Sequence, residues 1–190
     1  MAVRIRIASP ADAATIHDIY EHYIQHTVAT FNEQNRSVEE RAAEIAALLE
    51  RYPFLIAEDA NGAFLGFACG EPFRPQSGYR FTVELTIYLH PRTPKGAGVG
   101  SALYDALLRM LAEQGYHTAV GVLYSGNAES LALHRKFGFE ECALLRCFAY
   151  KHGQWLDARL MQKTLSPCTD APAEPIPFAV YRHQQSIVEE

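Results

Sequence analysis

The stretch 84–110 changes from an alternating to a helical pattern of hydrophobic positions. As far as His90, leucine and isoleucine alternate with polar or aromatic residues, which predicts a β-strand with two different faces. From Val99 the apolar residues recur every three or four positions, which predicts an amphipathic helix. Pro91 and Pro94 lie between the two patterns and end the strand, because proline has no N–H to donate to a neighbouring strand.

The other hydrophobic patterns predict an α/β fold around this unit. Alternating or β-prone runs predict further strands at 3–8, 54–58, 64–70, 117–124 and, as a hairpin turning at 152–153, 139–165. Helical patterns with capping signals predict helices at 10–26, 37–51 and 127–137. The strand that contains Glu84 is expected to begin at Tyr79. This order of elements predicts a mixed, mostly antiparallel sheet flanked by helices.

Composition indicates one domain followed by a short tail. The chain has 190 residues, which is enough for one domain with a core of its own. Four prolines fall within 167–177, and a segment spaced by prolines continues neither a helix nor a central strand. We therefore expect a domain over residues 1–165 and a proline-rich tail over 166–190, either packed or loose.

Charge and residue usage argue against several classes of partner. A net charge of −5 argues against nucleic acid, whose phosphates need a basic protein face. No apolar run reaches membrane-spanning length, and the first residues lack the pattern of a signal peptide. The four cysteines lack metal-ligand spacing and indicate reduced thiols. We expect a cytoplasmic protein that binds no nucleic acid, no membrane and no metal.

The glycine-rich loop 95–100, Lys-Gly-Ala-Gly-Val-Gly, is a candidate phosphate site. A glycine loop that leads directly into a helix presents free backbone N–H groups and the positive end of the helix dipole. The P-loop pattern is absent, because no Lys-Ser or Lys-Thr follows the glycines. The dinucleotide fingerprint also fails, because the three glycines are spaced two apart. A strand-to-helix turn without a ligand is the alternative.

The loop resembles that of the GNAT superfamily of acyl-CoA-dependent N-acyltransferases, which usually reads Arg/Gln-x-x-Gly-x-Gly/Ala. Lys95 departs from its first position. The resemblance covers roughly residues 3–165 and is greatest to the phosphinothricin and methionine sulfoximine acetyltransferase group, through motifs such as 151–157, Lys-His-Gly-Gln-Trp-Leu-Asp. Phe81 and Glu71 stand where that group usually has Trp and Gly, which leaves the substrate less defined than the reaction.

The resemblance implies acetyl-CoA as cosubstrate. Its pyrophosphate is expected on the glycine loop, and its pantetheine arm between the strands at Glu84 and 117–124, which splay apart in that fold. A backbone N–H near Tyr88 or Leu89 is expected to bond the thioester oxygen. Asn127 either bonds the pantetheine or only caps its helix. The expected cofactor-binding residues are Ile87, Tyr88, Leu89, Lys95, Gly96, Ala97, Gly98, Val99, Gly100, Asn127 and Ser130.

Two residues are expected to move protons. Glu84 is the expected general base, which takes a proton from the acceptor's ammonium group so that the nitrogen can attack. From the residues alone, a solvent-facing strand glutamate is the alternative. His134 occupies the position where many GNAT members have a tyrosine that protonates the departing thiolate. A histidine that only packs or orients the cofactor is the alternative.

Three residues are expected at the acceptor. The planar guanidinium of Arg74 suits an amino-acid carboxylate, and Phe31 and Tyr79 would flank the acceptor's side chain. A solvated loop charge and aromatic core packing are the respective alternatives.

The function implied by the resemblance is acetyl transfer from acetyl-CoA to the free amine of a small amino acid or analogue. Transfer is expected to be direct, in a ternary complex, because no cysteine lies at the predicted centre. The alternatives are a GNAT-like sensor that binds CoA without turnover, or another acceptor such as a polyamine, a peptide N-terminus or an antibiotic. Relatives in this group form homodimers, and the aromatic hairpin Tyr150–Trp155 is the expected contact.

Overall fold

A computed structural model describes residues 2–188 of the chain. The strands are β1 Arg4–Ile7, β2 Phe54–Glu58, β3 Phe64–Pro72, β4 Thr82–Leu89, β5 Thr118–Tyr124, β6 Glu140–Lys151 and β7 Gln154–Thr164. The helices are α1 Ala13–His26, α2 Val38–Arg51, α3 Val99–Glu113, α4 Ala128–Lys136 and α5 Phe178–Val188. Short 3₁₀ turns lie at Pro10–Asp12 and Ser77–Tyr79.

The strands of the described part of the chain form one sheet in the order β1-β2-β3-β4-β5-β7-β6. Neighbouring strands are antiparallel except β4 and β5, which are parallel. This confirms the predicted mixed, mostly antiparallel sheet. β2 and β3 form a hairpin that turns at Asn61-Gly62, a sequence typical of tight β-turns, and Asp59 accepts hydrogen bonds there from the N–H groups of Asn61 and Ala63.

Helices cover both faces of the sheet. Because successive strand residues point to opposite faces, Val83 of β4 joins the apolar cluster that contains Leu107 of α3. Tyr88 of the same strand packs against the second cluster, which contains Ile16 of α1 and Ile45 of α2. The helix α2 begins with a capping box formed by Ser37 and Glu40, the capping signal at the start of the helix predicted at 37–51. None of the helices in residues 2–188 combines the length and hydrophobicity that a bilayer crossing needs.

The parallel pair β4–β5 opens along its length. Paired residues run only from Thr82 with Thr118 to Glu84 with Val120. On its other side β4 stays paired with β3 as far as Leu89. Beyond Glu84 the two strands therefore diverge, as predicted, and one edge of β4 lacks a strand partner.

The proline-rich tail contains a helix that the sequence pattern does not predict. The prolines precede α5, and the carbonyl of Pro177 accepts the N–H groups of Val180 and Tyr181 in its first turn, so no proline interrupts the helix. Phe178 is fully buried, in the cluster that contains Ile45. The first turn of this helix is therefore packed against the domain rather than loose, through Phe178 and Tyr181.

The strand β4 begins three residues later than the sequence pattern predicts. The strand begins at Thr82 and not at Tyr79, because Tyr79 closes a 3₁₀ turn in which its N–H donates to the carbonyl of Gln76 at 3.0 Å. Tyr79 is thereby held outside the strand.

Candidate active site

A cleft of about 1000 Å³ follows the opening between β4 and β5. It is lined at one end by Glu84 and the loop after β3, and at the other by the loop before α3 and the start of α4. All of the predicted site residues except Tyr79 line this cleft. The cleft thus joins a strand edge, a glycine loop and a carboxylate in one continuous space.

Two hydrogen bonds at the ends of β4 fix the direction of its backbone groups. The N–H of His90 donates to the carbonyl of Leu65 in β3, at 2.8 Å. The carbonyl of Phe81 accepts the N–H of Thr118 in β5, at 3.1 Å. Even-numbered residues of β4 therefore direct their backbone groups to β3, and odd-numbered residues direct theirs to β5, because the direction alternates along a strand.

This alternation leaves the backbone groups of Leu85, Ile87 and Leu89 facing the gap. The N–H of Tyr88 is directed to β3, so of the two amides expected at the thioester oxygen only that of Leu89 faces the cleft. The hydroxyl of Tyr23 reaches the same edge and donates to the carbonyl of Leu89 at 3.1 Å. The gap therefore presents donors and acceptors to an extended chain that carries amides of its own.

The glycine loop turns the chain directly into α3. Gly96 and Gly98 have φ angles of 74° and 82°, which favour glycine, and Gly98 is the N-cap residue of the helix. No side chain caps this end of α3, so its first N–H groups remain available to an anion. Lys95 is ion-paired with Glu129 of α4 across the mouth of the loop.

A second cation at this end, Lys136, is not indicated by the sequence pattern. Its ammonium group donates to the hydroxyl of Ser101 in the first turn of α3, at 2.8 Å, and Lys136 lines the cleft. It comes from the last turn of α4, so only the folded chain brings it to the loop. This end of the cleft thus combines backbone amides with Lys95 and Lys136, a set of groups that suits an anion.

Glu84 lies partly buried where the strands begin to diverge. Burial raises the pKa of its carboxyl above the ordinary value, the charge of Glu71 raises it further, and Arg74 opposes them. A carboxyl whose pKa lies closer to neutral is a better match to general-base work than a solvated one.

Glu71, which stands where the related group usually has Gly, is a second carboxylate in the cleft. It is the register partner of Glu84 on β3, so the two side chains project from the same face of the sheet. The hydroxyl of Thr86 donates to Oε1 of Glu71 at 2.6 Å. The pairing is invisible in the sequence, because thirteen positions separate the two residues along the chain.

The geometry of His134 argues against the acid role. Its side chain is only 1% exposed, and both ring nitrogens have partners within the protein. Nδ1 lies 2.8 Å from the carbonyl of Ser130, which can only accept, so Nδ1 carries the hydrogen. Nε2 then accepts the hydroxyl of Tyr104 at 2.9 Å. Burial lowers the pKa of His134, so the ring is neutral and has no free proton for a departing thiolate.

Asn127 caps α4. Its side-chain oxygen accepts a hydrogen bond from the N–H of Ser130 at 3.1 Å. The observed contact is therefore the helix cap, the second of the two roles expected for Asn127. Both residues line the cleft, and the amide nitrogen of Asn127 is not used by the cap.

The end of the cleft where the acceptor is expected is lined by Phe31, Phe73 and Arg74. The guanidinium of Arg74 lies 4.9 Å from the centre of the Phe73 ring. Tyr79 is 45% exposed, and its ring meets that of Phe73 edge to face at 5.6 Å. Phe73 is therefore the aromatic residue that the structure brings to the position expected for Tyr79. Among the described residues, no three His, Cys, Asp or Glu side chains are grouped as metal ligands.

Comparison with known proteins gives a consistent family. Residues 5–160 match the acetyltransferase (GNAT) domain family. An L-methionine sulfoximine/L-methionine sulfone acetyltransferase of Pseudomonas paraeruginosa is 38% identical, over 90% of this chain and 100% of its own. A phosphinothricin N-acetyltransferase of Streptomyces viridochromogenes is 34% identical, over 92% of this chain and 94% of its own.

The fold matches as well. A GNAT superfamily phosphinothricin acetyltransferase from Sinorhizobium meliloti, solved in complex with AcCoA, superimposes with a TM-score of 0.87 at 36% identity. The match covers 96% of this chain and 100% of the other. The chain therefore belongs to the GNAT acetyltransferase family.

Proposed function

We propose that this protein transfers an acetyl group from acetyl-CoA to the α-amine of a small amino acid or analogue, of the kind named for its relatives. The observation that carries the proposal is the position of Glu84. It lies where an unpaired strand edge, suited to the cofactor, meets a pocket lined by Phe31 and Arg74. This position supports Glu84 as the base that serves both reactants.

The cofactor fits the groups that line the cleft. The pantetheine arm of CoA carries amides that pair with the free edge at Leu85, Ile87 and Leu89. Its pyrophosphate is an anion that suits the N-terminus of α3, between Lys95 and Lys136. The direction of the β4 amides supports the N–H of Leu89 as the donor to the thioester oxygen during attack.

The chemistry then needs one base and no covalent enzyme intermediate. Glu84 accepts a proton from the substrate ammonium, the neutral nitrogen attacks the thioester carbon, and the C–S bond breaks to release CoA as a thiolate. The nitrogen is positively charged after the attack and loses its second proton to water in the cleft, and the departing thiolate takes up a proton from that water, because His134 has none to give. No cysteine among the described residues lines the cleft, which supports direct transfer in a ternary complex.

The acceptor is proposed to bind in two parts. Arg74 holds the carboxylate, since its planar fork matches that group, and Phe31 and Phe73 flank the side chain. Tyr79 acts from outside, by supporting the Phe73 ring.

Release of CoA thiol from acetyl-CoA in the presence of a panel of amines tests the function. We expect turnover with L-methionine sulfone or a similar amino acid, and much less with polyamines or peptides. Binding of acetyl-CoA with no turnover on any amine would contradict the enzyme and favour a sensor. Turnover confined to a polyamine or peptide would contradict the acceptor class.

We also propose a homodimer in the cytoplasm. Phe148, Tyr150 and Trp155 of the β6–β7 hairpin are 53%, 53% and 64% exposed, and Phe148 also lines the cleft. A second copy that covers this surface would border the active site. The cysteines of the chain are free thiols, which supports a reducing compartment. Sedimentation at micromolar concentration tests the dimer, and a fully active monomer would contradict it.

A further inference from the structure

Two carboxylates face the acceptor end of the cleft, although the proposed reaction needs only one. Glu71 and Glu84 are direct register partners on adjacent antiparallel strands, an arrangement that normally destabilises like charges. Both are partly buried and both line the cleft. Glu71 is held in place by the hydroxyl of Thr86 at 2.6 Å, which leaves its other oxygen to face the cleft or water.

The cations around this pair are mostly engaged elsewhere. Arg41 of α2 lies within electrostatic range of Glu71 but is ion-paired with Glu44, and its guanidinium stacks 3.9 Å above the Tyr20 ring. At the far end of the cleft, Lys95 is paired with Glu129. Arg74 is the cation whose charge acts on Glu84 against that of Glu71, so one carboxylate is left in excess among the described residues.

The other titratable groups near Glu71 do not change this balance. Tyr20, Tyr88 and Cys69 lie within its electrostatic range, and burial raises the pKa of all three above their ordinary values. They are neutral at physiological pH. Among the described residues that line the acceptor end, the charged side chains are thus those of Glu71, Glu84 and Arg74. The buried ammonium of Lys151 donates to the carbonyl of Thr30, next to Phe31 in the chain.

An amino-acid acceptor brings one ammonium and one carboxylate to this site. The ammonium is matched by Glu84 and the carboxylate by Arg74, so the remaining charge of Glu71 faces the rest of the acceptor. A side chain with a negative charge is repelled there, whereas a neutral or cationic one is not. In a partly buried site this repulsion is stronger than in water.

Resting on the proposed function, we propose that Glu71 is a specificity determinant that selects acceptors with a neutral or cationic side chain over those with an anionic one. Two acceptors named for the relatives form a matched pair of probes. L-methionine sulfone ends in a neutral methyl sulfone and phosphinothricin in a methyl phosphinate, so the two have nearly the same shape and differ by one negative charge.

The test is the ratio of affinities for these two probes, measured by calorimetry on the protein saturated with CoA, so that it does not depend on turnover. The variant is Glu71→Gln, whose side-chain oxygen can still accept the bond from Thr86. The matched control is Glu50→Gln, which removes the same charge from an exposed position of α2 outside the cleft lining.

We expect the wild type to bind L-methionine sulfone at least about tenfold more tightly than phosphinothricin, which corresponds to roughly 1.4 kcal/mol. Glu71→Gln should reduce this ratio about tenfold, mainly by tighter binding of phosphinothricin, and Glu50→Gln should leave it unchanged. As a second readout, the acid limb of kcat/KM against pH should move to lower pH in Glu71→Gln, because the charge that raises the pKa of Glu84 is gone.

A ratio that stays within twofold of the wild type in a folded Glu71→Gln protein would overturn the inference, and acetylation of either probe would leave the proposed function standing. Binding of both probes without acetylation would contradict the proposed function alone, and the affinity ratio would still decide the role of Glu71. If neither probe binds, both proposals are wrong.

Discussion

Glu84 is paired with Val120 in the last register position that joins β4 to β5. The carboxylate therefore lies at the closed end of the gap, immediately before the strand edge that suits the cofactor. A thioester held along that edge and an amine held beside Glu84 would approach each other without movement of the sheet.

Replacing Glu84 by glutamine should lower kcat by about a hundredfold or more, because glutamine cannot take the ammonium proton. The loss should be largest at low pH, where few acceptor amines are already neutral, and should shrink as pH rises toward the amine's pKa. Affinity for acetyl-CoA should hardly change. A normal rate with weakened acceptor binding would show that Glu84 only binds the ammonium.

The same substitution should stabilise the protein at neutral pH. The pKa of Glu84 is raised in the folded state, so the folded protein binds this proton more tightly than the unfolded chain does. The stability gained from that proton is present at low pH and is lost as pH rises through the folded-state pKa. Urea unfolding at pH 7 should give a higher free energy of unfolding for Glu84→Gln than for wild type, with a smaller difference near pH 4. A less stable variant at pH 7 would contradict the raised pKa.

Gly98→Val should abolish acetyl-CoA binding in a protein that still folds. The side chain strains a residue whose φ is 82° and would intrude where the backbone amides are proposed to bind the pyrophosphate. Gly62→Val is the matched control, because Gly62 has a φ of 81° in the β2–β3 turn, outside the cleft lining. Both variants should lose about 1–3 kcal/mol of stability, but only Gly98→Val should lose the cofactor in a calorimetric titration.

Tyr104→Phe should destabilise the protein by about 1–3 kcal/mol, because it leaves Nε2 of His134 buried without its donor. Since the contacts of His134 argue against an acid role, the pH dependence of kcat should keep its shape. Unfolding in urea and a pH–rate profile check both statements. A large loss of kcat at unchanged stability would show that Tyr104 and His134 take part in catalysis.

Phe178→Ala should lower the free energy of unfolding by about 3–5 kcal/mol, the usual cost of deleting a fully buried aromatic ring. Val180→Ala on the same helix is the control, since Val180 is 47% exposed and surface changes usually lie within about 0.5 kcal/mol. Equal and small effects in urea unfolding would mean that α5 does not stabilise the domain.

Local patterns were sufficient for much of the fold. The alternation up to His90, the glycines of 95–100 and the capping box at Ser37 each depend on neighbouring residues, and the structure has all three features. The packing of Phe178 was not predictable, because it depends on α2, more than a hundred positions away. Prolines mark the preceding segment as irregular but do not indicate where the chain becomes regular again.

Some parts of the candidate site were likewise predictable from neighbouring residues, and others depend on the fold. Glu84 and the glycine loop belong to one continuous stretch, so the sequence places them together. The pairing of Glu71 with Glu84 and the arrival of Lys136 at Ser101 depend on register and on helix packing. The burial of His134 is likewise set by Tyr104 and Ser130 from two different helices, and a motif position alone does not reveal it.

The opening between β4 and β5 also bears on the stability of the protein against unfolding. With the strand edge at Leu85, Ile87 and Leu89 unpaired, the sheet of the free protein is incomplete, and a bound pantetheine arm would act as its missing strand. Because such a ligand binds only the folded chain, a concentration one hundred times its Kd adds about 2.7 kcal/mol to the free energy of unfolding. The supply of acetyl-CoA in the cell would then set both the rate of the enzyme and the fraction of its molecules that are open to proteolysis.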